Sequence, residues 1–264
     1  MEPIKIVIHG VTGRMGREVA VLASHEDDLA AVGAVSRSSQ PGQYTLPDGS
    51  GSIPLSNSLE DFIEGADVVV DFSNAEAAMA AMRTAAERKV NVVTGTTGLT
   101  ATDLEEAEAL SQENEIGVIV APNFALGAVL MIHLAKIAGR FFDYADLTEV
   151  HHEAKVDAPS GTALAIARAV VEGKGAAYTA PKAERETLPG TRGGTLEGVT
   201  VHSGRMPGRM AHHELVFGTL GQTLTLRHDS INRESFMPGV AMAIREVVKS
   251  PGLTVGLENI LGLG

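Results

Sequence analysis

The chain has 264 residues, of which 44% are hydrophobic and 20% charged, with a formal net charge of -12; these values indicate a globular protein with one large or two modest domains. The acidic balance argues against a nucleic-acid surface, which needs clustered positive charge, and the absence of cysteine excludes disulfides, thiolate metal sites and cysteine nucleophiles. No apolar run approaches the roughly 20 residues of a membrane span and Met1 to Pro3 starts no signal peptide, so we expect a cytoplasmic protein without a membrane partner.

The first predicted element is a strand that leads into a glycine-rich turn. Ile4 to Ile8 is an apolar run typical of a buried strand, and a helix is predicted over Arg14 to Ser24. Between them, Gly10 permits a tight turn, Gly13 lets backbone amides approach a pyrophosphate, and Gly16 allows close packing of the helix. Because this GxxGxxG turn stands between a first strand and a first helix, it predicts a dinucleotide-binding site.

The second predicted strand, Ala30 to Val35, ends in Ser36 and Arg37. An acidic side chain at this position would bind the ribose 2′-hydroxyl of NADH, and none is present. Arg37 can pair with a 2′-phosphate and Ser36 can donate a hydrogen bond to it, so the sequence favours NADPH without excluding the use of both nucleotides. The alternative is that Arg37 simply faces water on an exposed loop.

Short apolar strands then alternate with amphipathic helices. In chain order we predict a short helix near Leu59 to Glu64, a strand over Asp67 to Asp71, a helix opened by Ser73 with Glu76 completing a capping box, a strand over Val90 to Thr94, a helix over Leu104 to Gln112 and a strand over Ile116 to Ala121. This alternation is typical of an α/β fold with a Rossmann-like, doubly wound parallel sheet, in which ligands bind at the carboxyl ends of the strands. Three of those ends are small and polar, which suits a nicotinamide ring and its ribose but is equally typical of ordinary turns: Asp71 to Ser73, Gly95 to Gly98 and Ala121 to Phe124.

A second domain is predicted to begin at residue 123. The apolar run Leu126 to Ile137 predicts a long helix, and the alternation over Ala145 to Val150 predicts the strand after it. Ser160 is a good N-cap for the apolar-periodic run Ala163 to Val171. The amides that open this helix, at Gly161 and Thr162, lack internal acceptors and lie at the positive end of the helix dipole, so they predict a site for a carboxylate or phosphate.

Three proton-carrying side chains lie between that strand and that helix. They are His151, His152 and Lys155, and Asp157 follows them. An imidazole exchanges protons near neutral pH, and a lysine beside it can donate a proton or stabilise negative charge. Taken singly, each residue has an ordinary interpretation: a hydrogen-bonded strand histidine, a surface histidine and a solvated lysine. The whole cluster favours catalysis on an anion.

The remaining part of the second domain is predicted to be a long loop and an open sheet. Residues 173–194 are polar and form the loop, in which Arg192 could reach a carboxylate but is more typical of an exposed surface residue. Alternation predicts antiparallel strands over Val199 to Ser203, His212 to Phe217 and Thr223 to Arg227. A last helix is predicted over Phe236 to Lys249, with Pro238 in its first turn, and it should pack on the first domain. We therefore predict a dinucleotide-binding domain from residues 1–122 and 233–264 and a substrate-binding and oligomerisation domain from residues 123–232, an α+β domain with an open mixed sheet.

Several motifs together resemble one enzyme family. They are the turn Gly10 to Gly16, the segments Gly95 to Gly98 and Ala121 to Phe124, and above all the run HHEAKVDAPSGTA from His151 to Ala163. The chain is similar, over essentially its whole length, to the 4-hydroxy-tetrahydrodipicolinate reductases, also called dihydrodipicolinate reductases. The resemblance implies NAD(P)H-dependent reduction of a cyclic dicarboxylate in the diaminopimelate route to lysine, and a homotetramer that assembles through the second domain.

The resemblance also implies roles for individual residues. His151 would be the proton donor or acceptor, Lys155 the proton donor and His152 a substrate contact, while Gly161 and Thr162 would hold a substrate carboxylate. The implied nucleotide contacts are Gly10, Val11, Thr12, Gly13, Arg14, Met15, Gly95, Thr96, Thr97, Ala121, Pro122, Asn123 and Phe124. Many family members carry an acid where Ser36 stands, and this departure counts against dual use of NADH and NADPH.

Three other functions compete with this interpretation. A nucleotide-sensing regulator would have no reason to keep the histidine-lysine segment beside an anion-binding helix start. A reductase of another imino or keto dicarboxylate would carry the same motifs. A metal enzyme using His151, His152, His212 and His213 is disfavoured, because adjacent strand residues point to opposite faces and each pair could supply only one ligand. We therefore expect no metal.

Overall fold

A computed structural model describes residues 2–263 and divides them into two compact units. Unit 1 contains the chain up to Phe124 together with Phe236–Gly262, and unit 2 contains Ala125–Ser235 and Leu263. Met1 and Gly264, the outer limits of the predicted nucleotide domain, lie outside the described residues.

Unit 1 is built on a sheet of eight strands. Its elements are β1 (Ile4–His9), α1 (Arg14–His25), β2 (Leu29–Val35), β3 (Gly42–Thr45), β4 (Ser52–Ser56), β5 (Val68–Asp71), α2 (Ala75–Glu87), β6 (Asn91–Thr94), α3 (Ala101–Asn114) and β7 (Gly117–Val120). After unit 2 come α6 (Met237–Val247), β13 (Gly252–Val255) and α7 (Leu257–Ile260). The strand order is β13-β7-β6-β5-β1-β2-β4-β3, and all neighbours pair in parallel except β3 with β4.

Apolar residues on both faces of the central strands explain this layered arrangement. Ile6, Val7 and Ile8 are all fully buried, as expected for a parallel strand covered by helices on both sides. Helix α1 packs against α6, and α2 packs against α3. The predicted doubly wound parallel sheet is therefore confirmed, and the last long helix packs within this unit as predicted.

Several local predictions for unit 1 are wrong. Residues Leu59 to Glu64 do not form a helix but a single turn, in which the amides of Phe62 and Ile63 both donate to the Leu59 carbonyl. The apolar spacing mimics a helix there because Leu59 and Ile63 are both buried, and Gly65, with φ of 82°, ends the turn at once.

The predicted cap of α2 is also wrong. The N-cap is Asn74, whose side chain accepts from the Ala77 amide, because the Ser73 hydroxyl instead donates to Asp71 Oδ1 at 2.5 Å. A full capping box occurs one helix later, between Thr100 and Asp103. The sequence-based prediction also missed the β3–β4 hairpin and the C-terminal strand β13.

Unit 2 has a five-stranded mixed sheet and two long helices. Its elements are α4 (Leu126–Gly139), β8 (Tyr144–His151), α5 (Gly161–Lys174), β9 (Gly194–Leu196), β10 (Val199–Arg205), β11 (Ala211–Thr219) and β12 (Gln222–Ser230), followed by a 3-10 turn at Arg233–Phe236. The order is β12-β11-β8-β10-β9. The predicted mixed sheet is confirmed, although β10 pairs in parallel with β8 rather than antiparallel as expected.

The core of unit 2 occupies only one end of its sheet. Helices α4 and α5 pack against each other, and the core cluster contains Leu147, Leu215 and Phe217 from the strands and Ile166 from α5. Further along the same strands the buried residues become polar, starting with Glu149 and His213. Among residues 2–263, none of the helices is both long and apolar enough to cross a membrane.

Candidate active site

The glycine turn lies at the carboxyl end of β1. Gly10 has φ of 85°, and a Cβ there would lie 2.7 Å from the Phe72 carbonyl oxygen. A Cβ on Gly16 would lie 2.3 Å from the Gly10 carbonyl oxygen. Gly13 is the N-cap of α1 and has no side chain to occupy the helix start, so the first-turn amides of Arg14 and Met15 have no intrahelical acceptor. The turn thus fits a pyrophosphate held by backbone amides.

The other predicted nucleotide segments lie at the same edge of the sheet. The Gly95 amide donates to the Asp71 carbonyl at 2.9 Å, and the Ala121 amide donates to the Thr94 carbonyl at 3.0 Å. The Phe72 and Phe124 rings pack with centroids 5.7 Å apart. Because β1, β5, β6 and β7 are parallel neighbours, their following loops form one continuous edge. The exposed residues along it include Thr97 and Pro122, while Ala121 and Phe124 are buried.

A buried carboxylate joins these loops. Asp71 is fully buried, and its oxygens accept from His9 Nδ1 at 2.6 Å and Ser73 Oγ at 2.5 Å, and from Thr94 Oγ1 and Thr96 Oγ1, each at 2.7 Å. The Ser73 amide in turn donates to Thr96 Oγ1 at 3.0 Å. Burial alone would raise the pKa of Asp71, but the donors, His9 first among them, lower it overall. Since the Thr96 hydroxyl donates to Asp71, Thr97 is the threonine of this loop with an exposed side chain.

Ser36 and Arg37, at the end of β2, differ in exposure. Ser36 is buried, and its hydroxyl bonds Thr12 Oγ1 at 2.9 Å and Ser38 Oγ at 3.4 Å. Arg37 is exposed. Thr12 belongs to the glycine turn, so the hydroxyl contact ties that turn to the end of β2 and leaves the guanidinium of Arg37 free to meet an anion in solution.

In unit 2 the polar end of the sheet places the second group of predicted residues. His151 ends β8, and Glu149 points to the same face because side chains alternate along a strand. The register sets Glu149 opposite His213 on β11, and His213 opposite His228 on β12. On the other side of β8, Arg205 of β10 lies opposite His151.

Glu149 is fully buried and fixes the proton arrangement of His151. Its oxygens accept from His151 Nδ1 at 2.5 Å, from both terminal nitrogens of Arg205 at 3.0 and 2.9 Å, and from the Ser160 amide at 3.2 Å. Against the effect of burial, the hydrogen bonds from His151 and Arg205 lower the pKa of Glu149 to about 2. An ionised carboxylate only accepts, so Nδ1 of His151 carries a hydrogen and Nε2 is the nitrogen that exchanges protons.

His152 and Lys155 form a turn just after the strand. The Lys155 amide donates to the His152 carbonyl at 3.2 Å, and Lys155 Nζ pairs with Asp157 Oδ1 at 2.6 Å. The hydrogen bond from Lys155 lowers the pKa of the Asp157 carboxyl. The Lys155 side chain keeps 24% of its surface exposed, so it is not sealed from solvent.

The predicted start of α5 is confirmed. Ser160 is its N-cap, with the side chain accepting from the Ala163 amide. A Cβ built on Gly161 would meet nothing within 4 Å, so space is open in front of the first turn, and that turn carries no acidic residue to occupy the positive end of the dipole. Thr162 is partly buried beside it.

The structure gathers the predicted residues into two groups, the nucleotide segments in unit 1 and His151, His152, Lys155, Gly161 and Thr162 in unit 2. Sequence reasoning missed Glu149 and Arg205, and it considered His213 only as a metal ligand in a disfavoured alternative. A signal existed for Glu149, which stands two residues before His151 on a strand and therefore on its face. Arg205 and His213 gave no signal, because their proximity depends on strand pairing. Among residues 2–263, no three His, Asp or Glu side chains are grouped in a way that could hold a metal ion.

Comparison with known proteins identifies the family. The family models described as dihydrodipicolinate reductase, N-terminus, and dihydrodipicolinate reductase, C-terminus, match residues 4–124 and 127–261. A 4-hydroxy-tetrahydrodipicolinate reductase from Dehalococcoides mccartyi is 48% identical over 265 residues, covering 100% of each chain. One from Moorella thermoacetica is 42% identical, with 98% of each chain covered.

Solved structures agree. A dipicolinate-bound dihydrodipicolinate reductase from Paenisporosarcina sp. TG-14 matches with a TM-score of 0.86 and 36% identity, covering 98% of this chain and 99% of that one. An amine dehydrogenase from Mycobacterium smegmatis, at 20% identity and a TM-score of 0.64, shares the fold. The resemblance inferred from the motifs is confirmed, and the chain belongs to the dihydrodipicolinate reductase family.

Proposed function

We propose that the chain reduces 4-hydroxy-tetrahydrodipicolinate, by way of dihydrodipicolinate, to tetrahydrodipicolinate in the diaminopimelate route to lysine. The observation that carries this proposal is the group in unit 2, where an imidazole oriented by a buried carboxylate stands on the same short segment as an ammonium group and an open helix start. Full-length relatives that carry this enzyme name support it.

The cofactor is a pyridine nucleotide, and the residues of unit 1 fit one. Gly10 and Gly16 leave no room for side chains at the turn, and the start of α1 offers backbone amides to a pyrophosphate. When bound, the reduced nicotinamide supplies a hydride. Gly95, Thr97 and the segment from Ala121 to Phe124 would line the ring and its ribose.

The proton comes from the chain itself. Hydride addition to the ring carbon from which water has left places negative charge on the conjugated imine, and one proton balances it. Lys155 Nζ or His151 Nε2 donates that proton. The ionised Glu149 orients the His151 ring, as a carboxylate behind a catalytic imidazole does.

The substrate's carboxylates would be held by backbone amides and by neighbouring cations. The first-turn amides at Gly161 and Thr162 bind one carboxylate, and His152 adds a polar contact. The neighbouring cations orient the ring, and positioning of this kind lowers barriers by about 7–11 kcal/mol in favourable cases. The dipicolinate bound to the solved relative from Paenisporosarcina is a ring dicarboxylate of this shape. The alternative of a non-enzymatic regulator is not favoured by the relatives.

The direct test is oxidation of the reduced nucleotide, with substrate freshly generated from pyruvate and aspartate semialdehyde. Lys155→Ala should lower kcat by about 10²–10⁴-fold, the range for removal of a positioned acid, while nucleotide affinity stays unchanged. The matched control is Lys182→Ala, an exposed lysine of the 175–193 loop. Equal losses of turnover and nucleotide affinity, or no substrate-dependent oxidation by the parent enzyme, would contradict the proposal.

The preferred nucleotide is NADPH on this proposal. Arg37 is exposed beside the glycine turn and no carboxylate stands at the end of β2, so Arg37 would pair with the 2′-phosphate. Arg37→Ala should raise the KM for NADPH about tenfold, as for loss of a charge-assisted contact, and leave the KM for NADH unchanged. Equal changes for both nucleotides would contradict this preference.

We also propose a cytoplasmic homotetramer that assembles through unit 2. Family resemblance is the main support. The edge strand β12 adds a second, because its side chains from Gln222 to Thr225 are all exposed and an unpaired edge is a template for association. Light scattering should give a mass of about four chains, and Leu224→Arg should reduce it; a monomeric parent chain would refute the assembly.

A further inference from the structure

We propose that His213 is a positioning residue of this reductase: through Ser160 it fixes the start of α5, and through its ring it fixes the orientation of His151. The inference rests on the proposed function and adds a residue to which neither the motifs nor the family roles above give a part.

The first observation is a closed ring of contacts around His213. Glu149 accepts from His151 Nδ1 and from the Ser160 amide. Ser160 Oγ lies 3.3 Å from His213 Nε2, and the His213 ring meets the His151 ring edge-on with centroids 5.3 Å apart. All four residues are at least nine-tenths buried. The proposed proton carrier and the proposed carboxylate site are therefore joined by two routes, one through Glu149 and one through His213.

The second observation fixes which atom donates in this ring. Ser160 Oγ accepts from the Ala163 amide at 3.1 Å, so its own proton points elsewhere. The nearest acceptor for it is Nε2 of a neutral His213, which then carries its hydrogen on Nδ1. Burial, with His151 as the second cause, lowers the pKa of His213 to about 4, so the neutral form persists at neutral pH. The imidazole thus directs the Ser160 hydroxyl, and the cap keeps the first turn of α5 aligned with its amides forward.

The Nδ1 atom of His213 indicates a positioning role rather than simple packing. Among the residues the structure describes, Nδ1 of His213 is buried without a hydrogen-bond partner. A buried unpaired polar atom destabilises a fold, and a leucine of similar size would avoid it. Retaining an imidazole here is better explained by what Nε2 does for Ser160 and by what the ring edge does for His151.

The test uses three variants of the full chain and two main measurements, with nucleotide affinity and melting temperature as controls. His213→Leu keeps the volume and removes the acceptor, while His213→Gln keeps a polar atom near the place of Nε2. The matched control is His202→Leu, on β10 of the same sheet, whose imidazole pairs with Asp146 at 3.3 Å outside the cluster. The measurements are calorimetric titration with dipicolinate in the presence of nucleotide, and hydrogen exchange at the Ala163 amide by NMR.

His213→Leu should weaken dipicolinate binding about tenfold and speed exchange of the Ala163 amide, with nucleotide affinity and melting temperature near those of the parent. His213→Gln should recover binding to within about threefold, and the control should match the parent. Dipicolinate affinity of His213→Leu within about threefold of the parent, or no recovery by His213→Gln, overturns the proposal.

Two other results are also decisive. If His213→Leu does not fold, a cycle of His213→Ala and Ser160→Ala decides the matter, because each change removes the contact: a shared route requires non-additive effects on dipicolinate affinity, and independent effects overturn it. If the parent chain binds no dipicolinate and reduces no substrate, the proposed function fails. In that case the exchange rate at Ala163 alone judges the link between His213 and Ser160.

Discussion

Each unit buries a carboxylate against an imidazole, and the two pairs differ in the charge of their other partners. In unit 1, Asp71 is bound by His9 and by three hydroxyl groups, from Ser73, Thr94 and Thr96. In unit 2, Glu149 is bound by His151, by the guanidinium of Arg205 and by a backbone amide. A permanent cation therefore stands beside Glu149, whereas no partner of Asp71 within residues 2–263 carries a permanent charge.

The two sets of partners suit the two carboxylates to different tasks. Against the effect of burial, the hydrogen bonds from His151 and Arg205 together lower the pKa of Glu149 to about 2, so the carboxylate stays ionised at neutral pH and holds the imidazole in one orientation. Asp71 instead spreads its charge over groups from three adjacent strand ends, and so holds loops rather than prepares a proton donor. We therefore expect the pair in unit 2 to serve proton transfer and the pair in unit 1 to hold the loops in place, and substitutions of either carboxylate test this difference.

The largest effect is expected for Glu149→Gln. The variant loses the charged acceptor that orients His151 and leaves Arg205 without its partner, so kcat should fall by about 10²–10³-fold with nucleotide affinity unchanged. The free energy of unfolding should fall by about 3–5 kcal/mol, the loss typical of breaking a buried ion pair, as measured by urea denaturation.

Asp146→Asn is the control for that experiment, because it removes a half-exposed carboxylate from the same strand. A kcat for Glu149→Gln within about threefold of the parent would contradict a catalytic role for the Glu149–His151 pair.

Asp71→Asn is expected to have a smaller effect, and to lower nucleotide affinity rather than kcat. Its donors lose a charged acceptor, which should reduce the free energy of unfolding by about 2–3 kcal/mol. Because the loops are loosened, nucleotide affinity should fall about tenfold while kcat at saturating nucleotide changes little. Asp67→Asn is the control, since Asp67 accepts from the Lys5 amide at 2.7 Å just before β5 begins. A loss confined to kcat would show that Asp71 resembles Glu149 after all.

The smallest effect is a pH dependence of stability that arises in unit 2. The pKa of His213 is lowered from 6.5 to about 4. Below pH 6.5 the unfolded chain therefore binds a proton on this histidine, whereas the folded chain binds it only below about pH 4. Stability therefore declines as the pH falls through this window, by about 1 kcal/mol between pH ~7 and ~5.5. The charged or titratable groups nearest His213 are Glu149 and His151 on β8 and His228 on β12.

Glu149 acts in a separate, lower window. Its pKa is lowered from 4.5 to about 2, so the stability that it contributes is present above 4.5 and is lost as the pH falls towards 2. Urea denaturation of the parent and His213→Leu at several pH values separates the two, because the variant should lose the part of the decline between pH 6.5 and 4 that His213 causes, while His228, whose pKa is lowered by burial, keeps its own part. Parallel curves would mean that His213 does not titrate in this window.

The sequence predicted the architecture of both units because their signals are local. A continuous apolar strand, a glycine turn and an amphipathic helix each occupy one stretch of chain, and alternating them leaves few topologies open. The failures are also local: the apolar spacing of Leu59 and Ile63 resembles a helix, and Ser73 resembles a cap although its hydroxyl is taken by Asp71. That Asp71 would accept the hydrogen bond from Ser73 cannot be predicted without the fold.

The candidate site was predictable in its contiguous part only. His151, Lys155 and Gly161 lie on one segment, so their spacing alone indicated chemistry. Arg205 and His213 reach the same place from strands 54 and 62 positions beyond His151. Which residues face each other across those strands depends on register, and a shift of one residue would turn each side chain to the opposite face.

The C-terminal position of α6 and β13 has a consequence for synthesis. The sheet of unit 1 needs β13, at Gly252–Val255, on its β7 edge, whereas all strands of unit 2 end by Ser230. On the ribosome, unit 2 is therefore complete before unit 1, whose earlier strands must wait until β13 has been translated. During that interval β7 is an open edge that the nascent protein, or a chaperone, must keep from pairing with a neighbour.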